Sequence, residues 1–156
     1  MPVEIRSFQK TDFESLWQLD QICFDRQMAY SRPELAFYMR RPGAFTLVAE
    51  SVEAGTNCGP RHIVGFIVAE TWRKSGHIIT IDVDPKARRA GIGSRLLDGA
   101  ENQLRQAGAV TIALETAVNN GAAIRFYKQR GYFVEKTVLG YYSGQLDAFE
   151  MRKDLG

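Results

Sequence analysis

Cysteine and histidine are both scarce in this chain of 156 residues, with two of each. Cys23 sits in an apolar helical pattern and Cys58 in a glycine-rich stretch, so no disulfide framework is on offer and the thiols suit a reducing, cytoplasmic setting. The spacing Cys58-x-x-x-His62, with only His77 besides, is too thin for zinc, and no metal is expected. An excess of one charge is missing too. Lysine and arginine number 20 against 18 acids, a formal net charge of +2, which builds no field for nucleic acid. No run of about eighteen apolar residues exists, and the opening Met-Pro-Val-Glu-Ile-Arg has neither a charged n-region nor an apolar h-region. Neither membrane insertion nor export is therefore expected. There is no internal repeat, no low-complexity tract and no Gly-Lys-Ser/Thr phosphate loop. With 45% apolar and 24% charged residues, residues 1–156 are expected to form one ordinary domain with a real core.

What is present reads as an ordered series of short elements. Val3 to Phe8 alternates as a first strand, and Thr11-Asp12-Phe13-Glu14 has the form of a capping box opening a helix that carries Leu16, Leu19, Ile22 and Cys23. Ser31-Arg32-Pro33-Glu34 is a second box, and Pro42-Gly43 ends its helix. Phe45 to Glu50, Ile63 to Thr71 and His77 to Val83 are β-rich and predict an antiparallel meander, with Gly55, Asn57, Gly59 and Pro60 in a hairpin loop from Ser51 to Arg61. A helix with Ile92, Leu96, Ala100 and Leu104 on one face follows, closed by Gly108. Val110 to Glu115 is a strand, Asn119 or Asn120 caps a last helix with Ala123, Ile124 and Tyr127, and Tyr132 to Leu139 and Ala148 to Arg152 are strands. Only the fourth and fifth strands need a helical crossover, so they are predicted to be parallel neighbours with a ligand site at their carboxyl ends.

That site has a candidate anion holder. Arg88-Arg89-Ala90-Gly91-Ile92-Gly93-Ser94 runs from a strand into a helix, so successive backbone N–H groups and the positive end of the helix face one concavity, with two arginines beside it. A tight turn with solvated arginines is the plainer reading of the same residues. A dinucleotide loop is the other rival, and Leu96 stands where its third glycine belongs, although Glu115 lies near the place of its ribose-binding acid.

Arg88-x-x-Gly91-x-Gly93 resembles the acyl-CoA pyrophosphate loop of the GNAT N-acetyltransferases, and the series of elements is similar to theirs along essentially the whole chain. Leu114-Glu115 followed by Asn120, Ala123, Tyr127 and Gly131-Tyr132 is similar to the family's second block. Among its branches the chain most resembles the RimI-like protein N-terminal alanine acetyltransferases, in which a strand-end glutamate and a helix tyrosine stand twelve positions apart, as Glu115 and Tyr127 do. The resemblance implies an α/β (α+β) fold: a mixed, mostly antiparallel sheet of about seven strands with about four helices, its parallel fourth and fifth strands splayed at the CoA site. It implies acetyl-CoA as cosubstrate, held by Ile81, Val83, Arg88, Arg89, Ala90, Gly91, Ile92, Gly93, Ser94, Asn120 and Tyr127, and an acceptor site with Glu115, Tyr141 and Tyr142. The protein is then expected to be monomeric or homodimeric. Thr116-Ala117-Val118 departs from the branch, which commonly carries a charge there, and this bears on the substrate.

Acyl transfer to an amine explains the residue types. The amine must be neutral to attack, the carbonyl oxygen gains charge, and the thiolate must be protonated as it leaves. Glu115 is the candidate base and Tyr127 the candidate donor to sulfur, with backbone N–H groups near Val83 polarising the carbonyl. Each also has a plain reading: a solvated strand-end carboxylate, a core aromatic and, for Asn120, a helix cap. No cysteine lies in either block, so attack in a ternary complex is expected rather than an acyl-enzyme. A protein N-terminal amine is the favoured acceptor. A small-molecule amine is the alternative, with Glu14, Asp20 and Asp25 as extra acids unless they are solvated helix residues, and a non-catalytic CoA-binding sensor is the other.

Overall fold

Residues Ile63 to Ala69 form an unbroken apolar run, and the reason is that the strand holding them is covered on both faces. The computed structural model describes residues 2–52, 61–88 and 90–156, and the backbone alone at Arg61. Its elements are β1 (Val3–Ser7), α1 (Phe13–Cys23), α2 (Arg32–Met39), β2 (Ala44–Val52), β3 (Arg61–Trp72), β4 (Ser75–Val83), α3 (Ile92–Gln106), β5 (Thr111–Ala117), α4 (Gly121–Gln129), β6 (Phe133–Tyr142) and β7 (Leu146–Asp154). The sheet has seven strands in the order β1-β2-β3-β4-β5-β7-β6. Every neighbouring pair is antiparallel except β4 and β5.

Alternation along β2 and β3 sends Leu47, Ala49, Ile67 and Ala69 to one face, against Leu96, Leu97, Ala100 and Leu104 of α3. Val48, Phe66 and Val68 go to the other, against Leu16 and Leu19 of α1 and Leu35 of α2. The helix ends follow from local chemistry. Ser31 Oγ accepts from Glu34 N–H at 3.2 Å while Glu34 Oε1 accepts from Ser31 N–H at 2.9 Å, the reciprocal box expected there. Gly108, at φ +97°, follows the last turn of α3. The expected loop from Ser51 to Arg61, with Cys58, falls mostly on 53–60, outside the described residues.

Two expectations for α1 are corrected. No box joins Thr11 and Glu14. Instead Gln9 N–H donates to Asp12 Oδ2 at 2.8 Å, capping a short 3-10 turn over Lys10–Asp12 that leads into the helix. Arg6 holds Asp12, and Arg32 draws Glu14 outward across to α2. Ile22 is 64% exposed, because the inward stripe of the helix runs through Leu16, Leu19, Asp20 and Cys23. An acid, Asp20, thus takes the place that hydropathy would give to an apolar side chain.

The geometry that makes the site is a parting of strands. β4 and β5 pair only over Ser75 to His77 and Thr111 to Ala113, although β4 continues to Val83 and β5 to Ala117. Opposite β3, Val68 pairs with Thr80 and Ala69 with Ile78, leaving Ile79 as an extra residue. A bulge bends and twists the strand that carries it, and this one lies just past the last β4–β5 pair.

Candidate active site

A cavity of about 510 Å³ fills the gap between the parted strands. Its walls are β4 from Ile78 to Val83, the turn into α3, the end of β5, α4, the segment after α1 and Tyr142. Among the described residues no strand covers the β4 edge toward β5 beyond His77, so an extended, amide-bearing chain has a free edge to add to. Ile81 and Val83 line that stretch.

One end of the cavity is built for an anion. Gly91 is the N-cap of α3 at φ +75°, a left-handed conformation that glycine adopts without a Cβ penalty, and it aims the first N–H groups of the helix outward. A Cβ on Gly93 would stand 3.5 Å from Phe126 and 3.8 Å from Val83, inside the cavity wall. Gly91, Ile92, Gly93, Ser94 and Arg88 all line this end. Arg88 is turned inward, its Nε donating to the Val83 carbonyl at 3.1 Å. Ala90 is exposed and lies outside the lining, and Arg89 is outside the described residues. Asn120 both lines the cavity and caps α4, accepting from Ala123 N–H at 3.1 Å.

The other end holds the titratable groups. Glu115 Oε2 lies 2.7 Å from His77 Nε2 on β4; His77 Nδ1 lies 3.5 Å from Glu70 Oε1 on β3, and Arg41 Nε stands 3.2 Å from the other Glu70 oxygen. Burial opposes charging of the ring, but Glu115 and then Glu70 outweigh it and hold the His77 pKa above its ordinary value. Tyr127 is buried against the cavity with its ring edge-on to Phe126 and Tyr132, and burial pushes its phenol pKa upward, which keeps the proton on oxygen. Tyr142 faces the cavity, its pKa pushed up to about 12 by burial and the Glu115 charge. Tyr141 does not line it: 46% exposed, it packs edge-on to Tyr142 at 4.9 Å.

Sequence reasoning missed His77, which it weighed only as a metal ligand, and the stretch from the end of α1 onward, where Cys23, Phe24, Met28 and Tyr30 join the wall. Parallel register explains the first, since His77 pairs directly with Ala113, two residues before Glu115. Nothing in the motif blocks points to the second. Cys23 Sγ donates to the Val83 carbonyl at 3.3 Å, and burial pushes its pKa up to about 12, so it is a protonated wall residue rather than a nucleophile. Of the acids weighed for a cationic acceptor, none lines this cavity: Glu14 pairs with Arg32, Asp20 is buried under the sheet, and Asp25 caps its own turn through Gln27 N–H.

Residues 11–132 match the acetyltransferase (GNAT) family. The chain belongs to that family. It is an acetyl-CoA-dependent N-acetyltransferase, and acetyl-CoA is its cosubstrate. Among its relatives is N-alpha-acetyltransferase 20 of Dictyostelium discoideum, 32% identical over 127 residues, 81% of this chain and 72% of that one. A chain in the crystal structure of the NatC complex bound to Gag peptide and CoA is similar at 25% identity and a TM-score of 0.81, with 100% of both chains covered. The ribosomal-protein-S18-alanine N-acetyltransferase from Escherichia coli shares the acetyltransferase fold, with a TM-score of 0.83, 22% identity and coverage of 99% of this chain and 95% of that one.

Proposed function

We propose that this acetyltransferase acts on the α-amine of protein or peptide N-termini, by direct attack of the amine on acetyl-CoA held along the open edge of β4. The observation that carries the reading is the acid count of the cavity: among its described lining residues Glu115 is the one carboxylate. Deprotonating an amino terminus of pKa about 7.7 at pH 7 costs about 1 kcal/mol, whereas a lysine-type amine at about 10.4 costs about 4.6 kcal/mol. One carboxylate suits the first task, and a polycationic acceptor calls for more. The relatives named for N-alpha-acetylation support the same acceptor.

In this reading Glu115 takes the amine proton, directly or through a water, with His77 fixing its Oε2. Tyr127 donates to the departing sulfur. The N-terminus of α3, with Arg88, Gly91, Ile92, Gly93 and Ser94, binds the pyrophosphate, and Asn120 contacts the same cosubstrate. Ile81 and Val83 pair with the pantetheine amides, and backbone N–H groups near Val83 polarise the thioester carbonyl. Tyr142 flanks the acceptor, with Tyr141 behind it. The test is the initial rate of CoA release with paired short peptides, one free at its N-terminus and one blocked there but containing lysine. Turnover of the free peptide alone is expected. Turnover of the blocked peptide alone, or of neither while acetyl-CoA binds, would sink the α-amine reading.

A further inference from the structure

Behind the β4 wall of the cavity lie two buried carboxyls. Asp20 of α1 and Asp82 of β4 are 0% and 1% exposed, and each carboxyl is close enough to act on the other's protonation. Their remaining contacts are specific. Asp20 Oδ2 accepts from the Tyr30 N–H at 2.8 Å, and Asp82 Oδ1 accepts from Thr80 Oγ1 at 2.7 Å. That leaves Asp20 Oδ1 and Asp82 Oδ2, both buried and neither with a donor of its own. Two acceptor-only oxygens have nothing to exchange unless a proton lies between them, and a buried pair with two full charges would carry both desolvation and repulsion.

We propose that Asp20 and Asp82 share one proton, and that this pair positions the segment from Phe24 to Tyr30, the acceptor-side wall, against the end of β4. The proposal rests on the site reading above. Asp20 holds the last residue of that segment through Tyr30 N–H, while Asp82 precedes Val83, whose carbonyl accepts from Cys23 and Arg88. The joint therefore connects the wall that Phe24, Met28 and Tyr30 supply to the strand edge along which the cosubstrate lies. The groups facing it are consistent with a retained proton. Burial raises both carboxyls, the Glu34 charge on α2 raises Asp20 further, and Asp82 is raised well above the usual carboxylate range despite Thr80 and the Arg88 charge, which act the other way. Cys23, Tyr30 and Tyr127, also near the pair, are held protonated chiefly by burial.

Asp20→Asn tests it, because a carboxamide keeps the acceptor for Tyr30 N–H and supplies a permanent N–H donor to Asp82, with the same net charge as a singly protonated pair. The infrared spectrum of the protein at neutral pH is expected to contain a protonated-carboxyl band that both Asp20→Asn and Asp82→Asn abolish. Kinetically, Asp20→Asn is expected to keep the acceptor KM, whereas Asp20→Leu raises it by about tenfold or more with the acetyl-CoA KM changed by less than about twofold. Absence of the band in the wild type, or an acceptor KM equally raised in Asp20→Asn and Asp20→Leu, overturns the proposal. The infrared arm needs no turnover, so a failure of the α-amine reading shows in the peptide assay and leaves the proton to be decided separately.

Discussion

Glu115 owes its position to one hydrogen bond, from the ring of His77. His77 touches it from the neighbouring strand and is itself backed by Glu70 and Arg41, so the carboxylate meets the cavity from a fixed rotamer. Replacing Glu115 by Gln keeps the shape and removes the base. Its kcat/KM with a free-amine peptide is expected to fall about a hundredfold or more while acetyl-CoA binding by calorimetry is retained; an unchanged rate would remove Glu115 from the mechanism. The imidazole gives a pH signature with a definite sign. Its folded pKa is raised, so its contribution to stability is full below the unfolded value of about 6.5 and is lost as pH rises through the folded value. Urea unfolding at a series of pH values is expected to show that decline in the wild type and not in His77→Gln.

At the scale of elements, the cosubstrate end depends on how α3 begins and the acceptor end on how β4 leaves β5. Gly91 has nothing within 4 Å of a built Cβ, so a side chain there meets a conformational cost and no steric one. Gly91→Val, a β-branched residue asked to hold φ +75°, is expected to cost about 1–2 kcal/mol, lowering Tm by a few degrees and raising the acetyl-CoA KM more than the acceptor KM. Equal changes in both KM values would show that the turn does not act on the cosubstrate end. Motif spacing made this element legible in the chain, because a glycine pair between a strand and a helix pattern has few other uses. The bulge at Ile79 carried no such mark: Ile78-Ile79-Thr80-Ile81 reads as uninterrupted strand, and the extra residue emerges only against β3.

Across the whole molecule, Arg6 of β1 joins the entry to α1 and the second strand by binding Asp12 and Glu50, each at 2.8 Å. The Arg6 hydrogen bond, against an opposing burial effect, lowers the folded pKa of Asp12. Its contribution is therefore present above the unfolded value of about 3.9 and disappears as pH falls through the folded value. Asp12→Asn is expected to cost about 1–3 kcal/mol at neutral pH, and to unfold with a shallower acid dependence below about pH 4 in chemical denaturation; an identical acid limb would place the sensitivity elsewhere. The sequence alone determined the succession of strands and helices, the parallel β4–β5 pair and the glycine turn, because periodicity, caps and crossover length are local properties of the chain. Only the tertiary structure decided that His77 meets Glu115, that Asp20 turns inward to Asp82, that Tyr142 faces the cavity while Tyr141 does not, and that the segment after α1 forms its wall. Each of these is a contact between residues distant along the chain, fixed by register and packing, and no local pattern encodes it.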